Sequence, residues 1–315
     1  QTICGNGATI PVLVKAGIEN ADLLLATTDS GDNIIVFEPF YTNYNGYAAM
    51  CDITLKPVTT EAETGYHLPD DEKIVAQIDA HTKAIMICTP NNPTGTILRR
   101  DEMERLAKIA KDHYLYLISD EVYREFTYEG EHTSVLSIPG IEDRAIIMDS
   151  ISKRFSACGA RIGSLVTKNP TLWNTFLRLG QARLCPPSIE QHGAAAILQQ
   201  MDAHYFDKTV EEYRKRRDIV FEELEKIDGA YCRKPSGAFY MMVTLPVEDV
   251  EDFAKWMLTD FNYEGKTTMF APGPGFYASK GLGNSEIRIS YVLEEDKLRQ
   301  AMEVLRIGLE TYLNR

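Results

Sequence analysis

The sequence has no apolar run approaching the roughly 18 residues that a membrane helix needs. Its longest candidates, such as Ala84-Ile85-Met86-Ile87-Cys88, are strand-sized. It has no basic block either. Lys plus Arg is 33 against 46 Asp plus Glu, a net charge of −13, which argues against nucleic acid as the main partner. The six cysteines, Cys4, Cys51, Cys88, Cys158, Cys185 and Cys232, are scattered, with no C-x-x-C pair and no Cys/His metal spacing. An even count leaves a secreted disulfide framework formally open. At this length, and with no signal peptide, free thiols in a reducing cytoplasm are the expectation. Repeats and low-complexity linkers are also missing. The chain opens on Gln1 rather than Met, as a trimmed chain or a fragment does.

What is present is ordinary globular material: 44% hydrophobic and 25% charged residues. At 315 residues the chain is long for one core and fits a large domain plus a smaller one. Asn33–Phe37, Thr82–Cys88, Leu115–Ile118 and Ala145–Met148 read as buried strands. Arg100–Asp112 has helical spacing, with Met103, Leu106, Ala107, Ile109 and Ala110 on one face. Strand, helix, strand at this pace predicts βαβ units and a mostly parallel sheet. Tyr205–Ile227 reads as a long amphipathic helix. Beyond it, strands are expected at Phe239–Thr244 and Glu286–Val292, and helices at Val250–Leu258 and Glu294–Leu313. The expected division is a cofactor-binding domain over 1–208 and a small α/β domain over 209–315.

In an open parallel sheet, ligands bind beyond the carboxyl ends of the strands. Three of the runs lead into polar segments: Asn91-Asn92-Pro93-Thr94-Gly95, Ser119-Asp120-Glu121-Val122-Tyr123 and Asp149-Ser150-Ile151-Ser152-Lys153. Parallel strands would bring Asn92, Asp120, Tyr123, Ser150 and Lys153 to one rim, with Arg161 a little further on. A lysine, a carboxylate, a phenol, an amide, hydroxyls and an arginine are the set a pyridoxal phosphate site needs. The lysine amine forms a Schiff base with the aldehyde. The carboxylate keeps the pyridine nitrogen protonated. The phenol and the amide bond the ring oxygen, and the arginine and hydroxyls hold the phosphate.

Thr89–Gly95, Asp120-Glu121-Val122-Tyr123, Ser150-Ile151-Ser152-Lys153, Gly159-Ala160-Arg161-Ile162-Gly163 and Glu286-Ile287-Arg288-Ile289-Ser290-Tyr291 occur in family order, and the chain from about residue 23 to 315 resembles the class I/II aminotransferases. These are the fold-type-I, aspartate-aminotransferase-like enzymes of pyridoxal 5'-phosphate. The resemblance implies a homodimer built on a mixed, mostly parallel sheet covered by helices, with a smaller C-terminal α/β domain. It implies Lys153 as the Schiff-base lysine and proton shuttle, with Asp120 on the pyridinium nitrogen. Tyr123 and Asn92 bond the ring oxygen, and Asn92 also meets the substrate carboxylate. Tyr41 stacks on the cofactor, Ser150 and Arg161 bind the phosphate, and Arg288 grips the substrate α-carboxylate. The segment with which the family closes over its substrate, at the front of the chain, has little counterpart here.

Taken singly, each residue also has a plain structural reading. Lys153 suits a solvated surface, Asp120 a helix N-cap, Asn92 a turn before Pro93, and Ser150 a loop. Arg161 and Arg288 suit surface ion pairs, and Tyr123 and Tyr41 suit a core or rim. Tyr44 and Phe40 are near alternatives to Tyr41. The plain readings do not account for the order and spacing of the five segments. For the phosphate-cradling glycine turn, Gly5-Asn6-Gly7-Ala8-Thr9 and Ala16-Gly17-Ile18-Glu19-Asn20 are both open, and neither is assigned.

The expected function is ping-pong transfer of an amino group between an L-amino acid, with a lean to aspartate, and a 2-oxo acid. No metal, nucleic acid or membrane is called for. The same cofactor scaffold also serves β-lyases, decarboxylases and racemases, which share Lys153, Asp120 and Arg161. A cofactor-binding regulatory module is the rival from another class.

Overall fold

The computed structural model describes residues 31–315 in full and, ahead of them, the backbone of one strand, β1 (Val12–Ala16). Six further strands join it: β2 (Asn33–Glu38), β3 (Thr54–Thr59), β4 (Thr82–Cys88), β5 (Tyr116–Asp120), β6 (Ala145–Ser150) and β7 (Ile162–Val166). Their order across the sheet is β1-β7-β6-β5-β4-β2-β3. From β3 to β6 every pairing is parallel; β7 runs antiparallel to both β6 and β1.

Period-two alternation divides the apolar residues of these strands between two faces. Ile34, Val36, Ala84, Met86, Ile118, Ile146 and Met148 face one core, together with Tyr44 and Ala48 from α1 (Asn43–Met50). Ile35, Ile85, Ile87, Leu117 and Ile147 face the other. That second core is closed by α2 (Asp71–Val75) and α3 (Arg100–Asp112). On α3 the buried side chains Met103, Leu106, Ala107 and Ala110 follow the i, i+3, i+4, i+7 pattern. Burying each large one contributes about 1.5–3 kcal/mol relative to exposure. Strands covered on both faces read as continuous apolar runs, which is why these runs were legible.

After β6 come α4 (Ile151–Arg154), then α5 (Pro170–Arg183), α6 (Ser188–Gln200) and α7 (Asp207–Leu224). Beyond α7, α8 (Val250–Thr259) and α9 (Glu295–Leu313) pack on an antiparallel sheet. That sheet is β8 (Tyr240–Thr244), β9 (Ala271–Pro272) and β10 (Glu286–Ser290), in the order β8-β10-β9. The strand expected over 286–292 ends at Ser290, and Tyr291 turns fully inward. No helix among the described residues is long and apolar enough to cross a membrane.

Three contacts tie the second sheet to the first. Glu38, fully buried at the end of β2, accepts from the Thr59 hydroxyl (2.8 Å) and from the backbone N–H groups of Ala278 (3.0 Å) and Ser279 (3.1 Å). Gly95, at φ +71°, lies so close to the other unit that a Cβ there would sit 2.5 Å from Pro235. Its carbonyl takes the N–H of Gly237 at 2.8 Å. Arg288, on the second sheet, donates to Asn92 at 3.0 Å.

Glu102, fully buried in the first turn of α3, fixes that helix to the chain before it. Its carboxylate accepts the backbone N–H groups of Arg99 and Leu68, each at 2.9 Å, and contacts His67 Nδ1 at 2.8 Å. Burial pushes its pKa up, but the bonds from His67, Arg99 and Leu68 outweigh it and hold the carboxyl below its usual value. A folded pKa below the unfolded one stabilises the fold above pH 4.5, the ordinary value. That stabilisation is lost as pH falls through the folded pKa. Glu102→Gln is therefore expected to unfold at lower urea than wild type at pH 7. The gap should narrow in melts below pH 4.5; a gap that does not depend on pH would contradict this.

Candidate active site

Because β4, β5 and β6 are parallel neighbours, the polar segments that follow them emerge at one edge. The register sets Cys88 opposite Asp120, and Asp120 opposite Met148. Above this edge lies an open cleft of about 490 Å³. Asn92, Asp120, Tyr123, Ser150 and Lys153 all line it, as does Tyr41. Tyr44, Cys88, Val122 and Ser152 complete the lining.

Asp120 ends β5 and is only 7% exposed. Its Oδ2 accepts from the Tyr44 hydroxyl at 2.9 Å and its Oδ1 from the Val122 N–H at 3.3 Å. Burial and then the charge of Asp120 push the Tyr44 pKa well above that of an ordinary tyrosine, so Tyr44 stays a neutral donor. The same two causes push the Cys88 thiol up. A buried thiol of that kind is no nucleophile. Tyr123 is also raised, by burial first and then by Tyr240, whose hydroxyl lies 3.1 Å from its own.

Lys153 sits in α4, a single turn. Ser150 caps that turn by accepting the Ser152 N–H at 3.1 Å, and its hydroxyl donates to the carbonyl of Ile162 at 2.9 Å. The next residue, Arg154, points away from the cleft into a buried ion network. It pairs with Glu125 (3.1 Å) and Asp149, and Arg124 bridges the same two carboxylates at 3.1 and 3.2 Å. Lys153 is thus held on a pinned turn with its amine towards the cavity.

Arg288, on β10, extends from the second sheet towards Asn92. Its guanidinium carbon lies 4.6 Å from the centre of the Tyr240 ring and 5.0 Å from that of Phe276. Its Nε is buried and has no hydrogen-bond partner among the described residues. A planar cation with a spare, buried donor fits a carboxylate ligand. Arg161 is placed differently. It is half-buried, at φ +54°, donates to the Cys158 carbonyl at 3.0 Å, and is not among the residues lining the cleft. Both candidate glycine turns fall outside the described residues, apart from Ala16 at the end of β1.

Two residues of this site escaped the motif reading. Tyr44, in the sequence only a near alternative to Tyr41, is the one bonded to Asp120. Tyr240 was read only as strand. Its signal was alternation: Met242 pairs with Arg288, so Tyr240, two residues along, shares the face of Arg288. The donor set as a whole fits pyridoxal phosphate. A buried carboxylate faces a lysine across one cleft, with phenols, an amide and two hydroxyls between. Among the described residues no cluster of His, Cys, Asp or Glu is arranged to hold a metal ion.

The family described as aminotransferase class I and II matches residues 11–305. The aspartate aminotransferase of Sulfurisphaera tokodaii is 32% identical over 305 residues, which cover 94% of this chain and 74% of that one. The aspartate/prephenate aminotransferase of Thermus thermophilus is 31% identical over 287 residues, covering 90% and 70%. Among solved structures, the Thermus thermophilus aspartate aminotransferase with maleate superposes with a TM-score of 0.85 at 28% identity, covering 95% of this chain and 76% of that one. The aromatic aminotransferase of Pyrococcus horikoshii also scores 0.85, at 26% identity, covering 96% and 80%.

The bond from Tyr44 to Asp120 has a measurable consequence. A hydrogen bond to a charged group contributes about 1.5–3 kcal/mol. Tyr44→Phe keeps the ring and removes the donor, so urea unfolding should report a loss of about that size. A variant as stable as wild type would mean that other groups satisfy the carboxylate.

Proposed function

The chain belongs to the class I and II aminotransferases and is a pyridoxal-phosphate-dependent aminotransferase; from that premise we propose how its own residues divide the work. Bound pyridoxal phosphate supplies an aldehyde that condenses with amines and a ring that accepts electrons. Lys153 would hold the aldehyde carbon, and its amine, when free, would be the base that takes the substrate Cα proton and gives it back. Asp120 keeps a proton on the ring nitrogen by charge pairing. Tyr123 and Asn92 would hold the ring oxygen, and Tyr41 would pack against the ring. Ser150 and Arg161 hold the phosphate. Arg288 takes the α-carboxylate through two parallel bonds, one of them from its spare Nε, with Asn92 beside it.

The observation that carries this reading is a buried carboxylate ending one strand and a lysine in the turn after its parallel neighbour, both lining one cleft. L-Aspartate is the proposed amino donor and a 2-oxo acid the acceptor. The names of the two aspartate-using relatives support that choice, as does the tyrosine–asparagine–arginine set. The division at residue 208, between a cofactor domain and a small domain, belongs to the same proposal. So does a homodimer. Leu184 (76% exposed), just beyond α5, and Ile189 (84%), Ile197 and Leu198 on α6 are exposed apolar side chains that a second copy would cover. A cytoplasmic setting is proposed on the free thiols of Cys51, Cys88, Cys158, Cys185 and Cys232.

The deciding experiment is an absorbance spectrum of the protein with pyridoxal phosphate, followed by a screen of amino donors for bleaching of the visible band. Lys153→Ala should lower transamination by about 10²–10⁴-fold or more and leave no cofactor fixed by borohydride. Reduced cofactor mapped to another lysine would remove the assignment.

Arg288→Lys should load cofactor normally and lose about 1.5–3 kcal/mol of transition-state binding. That is roughly ten- to a hundredfold in kcat/KM, similar for every α-amino acid. Loss confined to donors with an acidic side chain would move Arg288 to the side-chain carboxylate.

A further inference from the structure

We propose that Tyr240 is a positioning residue serving both halves of the cleft: its hydroxyl sets the phenol of Tyr123 and its ring carries the guanidinium of Arg288. This rests on the roles proposed above for Tyr123 and Arg288. Tyr240 opens β8 and is buried. Its hydroxyl lies 3.1 Å from that of Tyr123, with the two rings edge to face at 5.6 Å. On the opposite side, the guanidinium carbon of Arg288 is 4.6 Å from the centre of its ring. One side chain of the second sheet therefore touches both the phenol at the end of β5 and the arginine of β10.

The two contacts act through different atoms. Tyr123 has one proton to give. When that proton goes to the ring oxygen of the cofactor, the Tyr123 oxygen is left as acceptor and Tyr240 becomes the donor. A phenol that accepts a hydrogen bond is itself a stronger donor. Burial already holds the Tyr123 proton on, and the neighbouring Tyr240 adds to this. The titratable and charged groups around the pair are Asp120, Cys88 and Tyr44 at the sheet edge, Lys153 on α4, Tyr213 on α7 and Arg288 on β10. The ring face needs no hydroxyl to hold a cation. It attracts the guanidinium through its quadrupole and, with Phe276, keeps it from swinging out of the cleft.

The test titrates the visible absorbance of the holoenzyme against pH for wild type, Tyr123→Phe, Tyr240→Phe and Tyr240→Leu. KM is measured in parallel for the amino donor found in the screen above. A weaker bond to the ring oxygen favours its protonated form, so Tyr123→Phe should move the midpoint up. Tyr240→Phe should move it the same way by less and leave KM near wild type. Tyr240→Leu should repeat that shift and also raise KM about two- to thirtyfold, the equivalent of a cation–π contact. A wild-type midpoint in Tyr240→Phe, with Tyr123→Phe shifted, overturns the proposal and leaves the role of Tyr123 standing. No shift in Tyr123→Phe itself brings down that role and the proposal with it. A Tyr240→Leu enzyme with unchanged KM overturns the part played by the ring. If that variant does not fold, the midpoint of Tyr240→Phe decides alone.

Discussion

A carboxylate at the end of a central parallel strand is an expensive thing to bury. Removing it from water costs several kcal/mol unless hydrogen bonds and charge make up the loss. Asp120 is in that position, and much of its surroundings can be understood as compensation. The turn after β5 sends back the N–H of Val122. Across the sheet edge, α1 brings in the phenol of Tyr44, which burial keeps protonated and therefore able to donate. The carboxylate is solvated by protein, and its open side is the cleft. A cationic ring nitrogen placed there would meet a partner already oriented, at no cost in reorganisation.

The second sheet meets the rim of the cleft at Asn92 and Tyr123, through Arg288 and Tyr240. Arg288 reaching Asn92 brings a planar cation from the second sheet to the rim of the first. Three kinds of contact keep the two units together. Glu38 is a buried acceptor for two backbone N–H groups of the far unit. Gly95 allows backbones to meet where no side chain fits. Tyr66 donates to Glu286, the first residue of β10, at 3.0 Å. Arg288 follows Glu286 by two residues on the same strand, so fixing one end of β10 to the first unit also sets the register of the guanidinium.

What the sequence disclosed depended on how each element is buried. β2, β4, β5 and β6 are covered on both faces, so they show as unbroken apolar runs. β3, Thr-Leu-Lys-Pro-Val-Thr, is an edge strand; its lysine and proline are edge features and hide it from a search for apolar runs. β7 is short and begins inside the glycine-flanked segment around Arg161, which reads as loop. The rim residues were legible because they follow the visible runs directly. Tyr44 and Tyr240 were not, because their importance lies in contacts 76 and 117 residues away in the chain. Motif spacing cannot supply such a pairing. Alternation along β8 and β10 would have placed Tyr240 beside Arg288, had the two strands been paired in advance.

The neighbours Lys153 and Arg154 show how rigidity and mobility are obtained from one turn of helix. Consecutive helical residues point about 100° apart, so one faces the cleft and the other the interior. Arg154 is nearly inaccessible and held by Glu125 and Asp149, which Arg124 bridges in turn. Arg154 is the deeply buried member, and displacing it would leave its charge unpaired, which resists movement of the turn. The backbone of α4 is therefore pinned beside the point where Lys153 departs, and Ser150 pins its first turn. The freedom that remains is in the four-carbon stem of the lysine. The role proposed for Lys153, holding a carbon and then carrying a proton a short distance, suits that combination of a fixed origin and a flexible arm.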